Sequence, residues 1–292
     1  MAPRDLALTL AGGGNRAFLQ LPILEAWWGV LGGRVAAIAA CSAGASMAVT
    51  FLSGRAPETH AYWLRRREAV RRNFAWGRLL RGQRPTPHLP IYRDTTLFSL
   101  ADGGFERIRS LPFPVRILMA EVPFNAPVPL AVAAGFAAYS LERGMDHGKL
   151  HPDSGRRLGF RPFVVDAREA ESAEELADLV LASSATPPFL PVYRIRGRRV
   201  VDGGMVDNAP AFAAEEGTGA RRSLVLLTRW YPPARVGFRG HRWYLAPSQA
   251  VPISRWEYTR PDLVEATRRL GAREAERLAP VLDRWLREEI PA

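Results

Sequence analysis

Apolar blocks separated by glycine-rich or polar joints run along this chain of 292 residues. Leu6-Ala7-Leu8-Thr9-Leu10 is an apolar run of strand length and predicts a buried strand. Gly12, Gly13 and Gly14 then turn the chain. From about Asn15 to Trp28 the period changes. Ala17, Leu21, Leu24 and Trp28 fall near i, i+4, i+7 and i+11, one face of a helix. Pro22 lies inside that stretch and should kink or break it. Gly32-Gly33 ends it. Val35 to Ala40 reads as a second short strand and Gly44 to Ser53 as a second helix. The first three of these elements have the size of one βαβ unit.

Further along, residues 58–81 read as helical and very basic, and 82–93, with Pro85, Pro87 and Pro90, as loop. Val115 to Val122 and Phe163 to Asp166 are strand candidates. Residues 123–160 combine prolines and small apolar residues with Asp146-His147-Gly148-Lys149, and read as a lid-like excursion. Ala173 to Ala182 predicts an amphipathic helix. Arg198 to Val201 predicts a strand leading into Asp202, and Ser223 to Thr228 and Arg242 to Leu245 late strands. Pro261 to Arg287 closes the chain as one or two charged helices. Alternation of strand and helix predicts an α/β fold, with a mostly parallel sheet and helices on both faces. No repeat, low-complexity tract or long linker divides the chain. The expected organisation is one domain over 1–292, with 55–160 as a variable, lid-like helical region.

Composition adds bounds. A 47% hydrophobic content supports a sizeable core. No run of eighteen apolar residues occurs, so no transmembrane helix is expected. The first residues lack the features of a secretory signal. Cys41 is the only cysteine, so no internal disulfide can form, and a reducing cytoplasm is the expected location. The net charge of +11 comes almost wholly from arginine, Lys149 being the only lysine. It fits attraction to anionic lipid or nucleic acid, and equally a preference for arginine over lysine. No nucleic-acid-binding motif is present, so no nucleic-acid partner is expected. Tyr62-Trp63-Leu64-Arg65-Arg66-Arg67 and Phe74-Ala75-Trp76 fit docking on an anionic membrane. They also fit a helix whose aromatics face the core and whose arginines are solvated.

Three segments carry candidate chemistry. Ala40-Cys41-Ser42-Ala43-Gly44 places a serine at a tight turn between strand and helix. Small flanking residues let the chain turn there, although Ala40 stands where G-x-S-x-G has glycine. Such a frame is common by chance in an alanine-rich chain. Gly12-Gly13-Gly14 lets backbone amides face an anion, such as the oxyanion of an attacked ester. The rival reading is a dinucleotide fingerprint, which needs an acid at the end of the next strand. Residues 34–40 contain none. Asp202-Gly203-Gly204 offers a carboxylate on a tight loop, able to act as general base, although Asp-Gly is also a common turn. Asp207-Asn208 reads as a cap for the helix that follows.

Together these segments resemble the patatin-like phospholipases: glycines near the N-terminus, a serine about thirty residues later, and Asp-Gly-Gly far downstream. The stretch from Ala182 to Val192 is similar to the family's approach to its aspartate loop. Pro261 to Ala266 with Leu270-Gly271 is similar to the C-terminal helix of bacterial members. The resemblance spans nearly the whole chain, weakest over 55–160. It implies a three-layer α/β/α fold with Ser42 as nucleophile, Asp202 as base, and Gly12, Gly13 and Gly14 as oxyanion hole. It implies a lipid ester substrate and no metal or organic cofactor, since the pair supplies nucleophile and base. Peripheral contact with an anionic membrane is kept with it as an expectation. Two departures stand out: Ala40 at the elbow, and Ala17 where the first motif often ends in glycine. One alternative is a lipid-binding or scaffolding protein of the same fold with weak turnover. Another is a Ser-His-Asp esterase using His241. The other histidines, His60, His88, His147 and His151, read as surface residues.

Overall fold

The computed structural model describes residues 4–123, 127–145 and 149–288. Nine strands form one sheet: β1 (Leu6–Leu10), β2 (Val35–Cys41), β3 (Val115–Glu121), β4 (Arg161–Asp166), β5 (Tyr193–Ile195), β6 (Arg198–Asp202), β7 (Arg222–Leu226), β8 (Gly237–Arg239) and β9 (Arg242–Leu245). The order is β5-β6-β3-β2-β1-β7-β9-β8, with β4 also paired to β3. The central pairs β3-β2-β1-β7-β9 are parallel, and the pairs involving β4, β5, β6 and β8 are antiparallel.

Side chains alternate across the central strands and are buried on both sides. Leu6, Leu8 and Leu10 enter the main core, whereas Ala7 and Ala39 meet Ala213 and Ala214 on the opposite face. Those alanines belong to α9 (Ala211–Glu215), whose small side chains let it lie close to β1 and β2. Against the other face pack α1 (Gln20–Leu31), α2 (Ala43–Leu52), α8 (Ala173–Ser183) and the 27-residue α10 (Pro261–Arg287). The result is a three-layer α/β/α fold around a mostly parallel sheet. Outside this frame lie α3 (Ala56–Arg67), α4 (His88–Leu100), α5 (Gly104–Arg109), α6 (Val128–Met145) and α7 (Ser154–Arg157).

Several local expectations change. The first helix begins as a 3-10 turn over Gly14–Leu19 and becomes α-helical at Gln20. Pro22 therefore sits in the first turn of α1, a place that tolerates proline, and α1 continues past it to Leu31. The basic stretch 58–81 is not one helix. α3 stops at Arg67, and a separate 3-10 turn spans Trp76–Arg81. The loop expected over 82–93 ends early, because α4 starts at His88 and holds Pro90 in its first turn. The excursion over 123–160 holds the 18-residue helix α6 and the short α7. Asp146, His147 and Gly148 lie outside the described residues. No helix among the described residues is long and apolar enough to cross a membrane.

Candidate active site

Strand register brings the two distant motifs together. On β3, Leu118 pairs with Cys41 at the end of β2, and the next residue, Met119, pairs with Asp202 at the end of β6. Two strands thus deliver their C-terminal residues to neighbouring points of a third. The chain leaves β2 at Ser42 with φ 53° and ψ −131°. That positive φ is strained for a residue with a Cβ and marks a sharp elbow. Gly44 makes the elbow possible, since a Cβ there would lie 2.3 Å from Leu10 O. Ala40 needs no such allowance. It is fully buried in the main core as the penultimate residue of β2, and Ala17 is likewise fully buried there.

Ser42 Oγ donates to Asp202 Oδ2 at 3.0 Å. The carboxylate is held from three further directions. Gly204 N–H donates to Oδ1 at 2.8 Å, Thr186 Oγ1 lies 3.2 Å from Oδ2, and the Cys41 thiol lies 3.9 Å from Oδ1. Gly203 lets this loop press onto β3, because a Cβ there would sit 2.3 Å from Leu118 O. Burial raises the Asp202 pKa. The Gly204 amide, the Ser42 and Thr186 hydroxyls and the positive charge of Arg255 oppose that rise. Cys41 does not point away from this side, as a plain elbow would have it. Its buried thiol borders the carboxylate, and desolvation, with Asp202 and Asp207 adding to it, pushes its pKa well up.

The glycine loop packs against the elbow. A Cβ on Gly12 would meet Asn208 Oδ1 at 2.7 Å and Ser42 Cβ at 3.0 Å. Gly12 N–H already donates to Asn208 O at 2.9 Å, and Gly12 O accepts from Asn208 Nδ2 at 3.0 Å and Thr228 Oγ1 at 2.6 Å. The Gly12 amide is therefore committed to holding the loop. The amides of Gly13 and Gly14 donate to no acceptor among the described residues. Gly14 adopts φ 58° directly over Arg255, with its Cβ position 2.4 Å from Arg255 O.

All five residues expected from the sequence, Ser42, Asp202, Gly12, Gly13 and Gly14, line one cavity of about 380 Å³. Its lining includes the buried Met47, Trp63 and Tyr92 of α2, α3 and α4, and it opens to water where Phe136, Arg229 and Trp256 are half-buried and Arg255 is exposed. Sequence reasoning missed four supports. Ser183 Oγ accepts from Ser42 N–H at 2.8 Å and donates to Leu118 O at 2.6 Å, tying the elbow to β3. Thr186 steadies Asp202, and Asn208 and Thr228 hold Gly12. Asn208 carries this role in place of the expected cap, for α9 starts after Pro210 without a side-chain cap.

The histidines also differ from expectation. His60 is buried against Glu265 at 2.6 Å, and His88 faces the cavity beside Tyr258, its pKa lowered by desolvation to about 3. His151 bridges Asp207 and Tyr244 at 3.0 and 2.9 Å. His241 is half exposed beside Glu215 at 3.3 Å. Among the described residues, no histidine is hydrogen-bonded to Ser42 or Asp202.

Fold and cavity together define an α/β protein with a strained elbow serine facing a half-buried carboxylate. Residues 8–215 match the family described as Patatin-like phospholipase, and the chain belongs to that family. Among solved structures, VipD from Legionella pneumophila is similar at 11% identity with a TM-score of 0.43, over 94% of this chain and 66% of that one. The chain thus spans just under two thirds of that structure's length. No curated protein matches.

Proposed function

We propose that the protein is a serine lipid acyl hydrolase of the phospholipase, lysophospholipase or esterase type, working through a Ser42–Asp202 dyad. The observation that carries this reading is the 3.0 Å hydrogen bond from Ser42 Oγ to Asp202 Oδ2 inside the cavity. Ser42 Oγ attacks the ester carbonyl carbon, and its proton passes to Asp202. The carbonyl oxygen becomes an oxyanion within the glycine loop, accepted by the amides of Gly13 and Gly14. Gly12 contributes close approach, with its own amide engaged elsewhere. Asp202 then protonates the leaving alcohol, and the acyl group stays on Ser42. Water, deprotonated by Asp202, attacks that acyl group; the bond to Ser42 Oγ breaks, Asp202 returns the proton to Ser42 Oγ, and the free acid leaves. Neither half-reaction calls on a metal or organic cofactor.

The unit is read as a single acyl hydrolase domain in which the helices within 55–160 wall and cover the cavity. A lipid ester is the substrate, met at a lipid surface by a peripheral and otherwise cytoplasmic protein. The test compares wild type with Ser42→Ala and Asp202→Asn on a soluble p-nitrophenyl ester and on phospholipid. Ser42→Ala should abolish turnover and fluorophosphonate labelling. Asp202→Asn should lower the rate by roughly 10²–10⁴, the span typical of general-base loss. Covalent labelling of another serine in the Ser42→Ala chain would overturn the assignment. So would a loss from His241→Ala as large as that from Asp202→Asn.

A further inference from the structure

We propose that residues 71–81 and the outer stripe of α6 form one docking surface for an anionic lipid bilayer, set around the mouth of the Ser42 cavity. The proposal rests on the hydrolase reading for what the docked protein does there, and on surface chemistry for the docking itself.

Of the two segments singled out from sequence, 62–67 is mostly engaged within the fold, leaving Arg65 exposed, whereas Trp76 of 74–76 is exposed. Trp63 is buried, and Tyr62 stacks on Phe98 with ring centroids 4.3 Å apart. Arg66 pairs with Asp94, and Arg67 is buried with its guanidinium donating to the backbone oxygens of Glu257 and Tyr258. The free charge lies further on. Between Glu68 and Asp94 the chain carries six arginines and no carboxylate. Of these, Arg71, Arg72, Arg78 and Arg81 are exposed and pair with no carboxylate among the described residues. Apolar side chains stand among them: Leu80 is 93% exposed and Trp76 56%.

α6 supplies the second part. Leu130, Ala134, Ala137, Leu141 and Met145 follow helical spacing along one face, and all five are exposed. Met145 is 82% exposed. The opposite side of the same helix sends Val132 into a core cluster and Phe136 and Tyr139 to the cavity. α6 already buries its opposite side, so folding alone does not account for an apolar stripe facing water. Single exposed apolar residues are ordinary, but two continuous runs at one opening are not.

Both runs border the same mouth. Phe136, Tyr139 and Ser140 of α6 line the cavity, with Ser140 exposed at its edge. On the other side, the tilted rings of Trp76 and Phe189 lie 6.2 Å apart, and those of Phe189 and the cavity residue Trp256 5.0 Å apart. Nucleic acid would satisfy the arginines and leave the apolar stripe in water. A second copy would cover the stripe and oppose +11 with +11. An anionic bilayer meets both demands: phosphate for arginine, and acyl chains for Leu80, Leu141 and Met145.

The experiment is co-sedimentation of the full chain with phosphatidylcholine vesicles, with and without phosphatidylglycerol, at two salt concentrations. Wild type and Ser42→Ala should bind alike, more strongly to the anionic vesicles and less so at high salt. Arg78→Gln with Arg81→Gln should weaken binding roughly thirtyfold, each arginine near a charged surface being worth about fivefold. Leu141→Asp with Met145→Asp, on the separate helix, should weaken binding to both vesicle types. Turnover of a soluble p-nitrophenyl ester should be unchanged in all four substitutions, which also reports that they fold. Absence of wild-type binding to anionic vesicles would overturn the proposal, as would wild-type affinity in both variant pairs. A dimer split by the same substitutions, without vesicle binding, would overturn it in favour of an interface between copies. Vesicle binding by a wild type that cleaves no ester would instead remove the hydrolase reading and leave the docking surface standing.

Discussion

Replacing Thr186 with valine removes one hydrogen bond to the Asp202 carboxylate and keeps the outline of the side chain. Burial holds the Asp202 pKa above its ordinary carboxylate value, and the Gly204 amide, the hydroxyls of Ser42 and Thr186 and the charge of Arg255 work against that rise. A proton acceptor must be ionised, so turnover falls as pH drops through the raised pKa. Stability runs the other way. A group whose folded pKa is raised contributes stability that is complete below its unfolded pKa and is lost as pH rises through the folded one. Asp202 therefore favours the fold in acid and the reaction above it. Thr186 Oγ1 lies 3.2 Å from Asp202 Oδ2 and also 3.2 Å from Ser184 O, so one hydroxyl proton is shared between two acceptors. Hydrogen bonds to charged groups contribute about 1.5–3 kcal/mol, and a shared one belongs at the lower end. Ionising Asp202 in Thr186→Val then costs about 1.5 kcal/mol more, roughly tenfold. The assay is kcat/KM against pH on a soluble ester. On the acid limb the variant should be about tenfold slower, and the two curves should converge once Asp202 is ionised in both. An equal reduction at every pH would mean that Thr186 acts through packing alone. A wild-type profile without an acid limb would remove Asp202 as the titrating base.

Two further substitutions test the supports of the site. Gly12→Ala puts a Cβ 2.7 Å from Asn208 Oδ1 and 3.0 Å from Ser42 Cβ, so turnover should fall at least tenfold, with about 1–3 kcal/mol lost in thermal or denaturant unfolding. Wild-type kinetics and melting would show that Asn208 and the elbow give way freely. Ser183→Ala leaves the Ser42 amide and Leu118 O without their shared hydroxyl, costing about 1–3 kcal/mol of stability. Its fluorophosphonate labelling should slow while the acid limb stays where wild type has it, since Ser183 positions the elbow and does not touch Asp202. A displaced limb would contradict that role.

What could be read from the chain was local. The run from Leu6 to Ser53 carries its own periodicity and its own glycines, and β1, β2 and α2 appear there within a residue or so of their expected ends. The failures are places where local signals mislead. Pro22 and Pro90 look like breakers, yet each falls in a first turn, a place that tolerates proline. The end of α3 carries no glycine or proline. It falls where Arg67 turns inward to the backbone of Glu257 and Tyr258, almost two hundred residues away in sequence. His60 and His88 looked like surface residues because their burial comes from the packing of α3 and α4, which no local window contains.

The candidate site divides in the same way. Ser42, Asp202 and the glycines could be singled out because each sits in a short motif with chemical meaning. Their meeting could not be read from composition or spacing, because it depends on β6 pairing antiparallel to β3 one residue beyond the point where β2 stops. Ser183 and Thr186 lie in the family-like stretch from Ala182 to Val192 and Asn208 in an expected cap, but neither reading, nor anything around Thr228, assigns them these roles. They matter through hydrogen bonds that exist only once the sheet has formed. The glycine run shows the limit most sharply. Three consecutive glycines look like three equivalent amide donors. In the fold, Gly12 N–H is bonded to Asn208 O, and its missing Cβ is what lets Asn208 and Ser42 come close. Gly14 is needed for its positive φ and for room beside Arg255, and its amide and that of Gly13 remain open. One residue type therefore gives close approach, a positive φ and open amides in the space of three positions, and only the neighbours that the sheet brings in decide which glycine gives which.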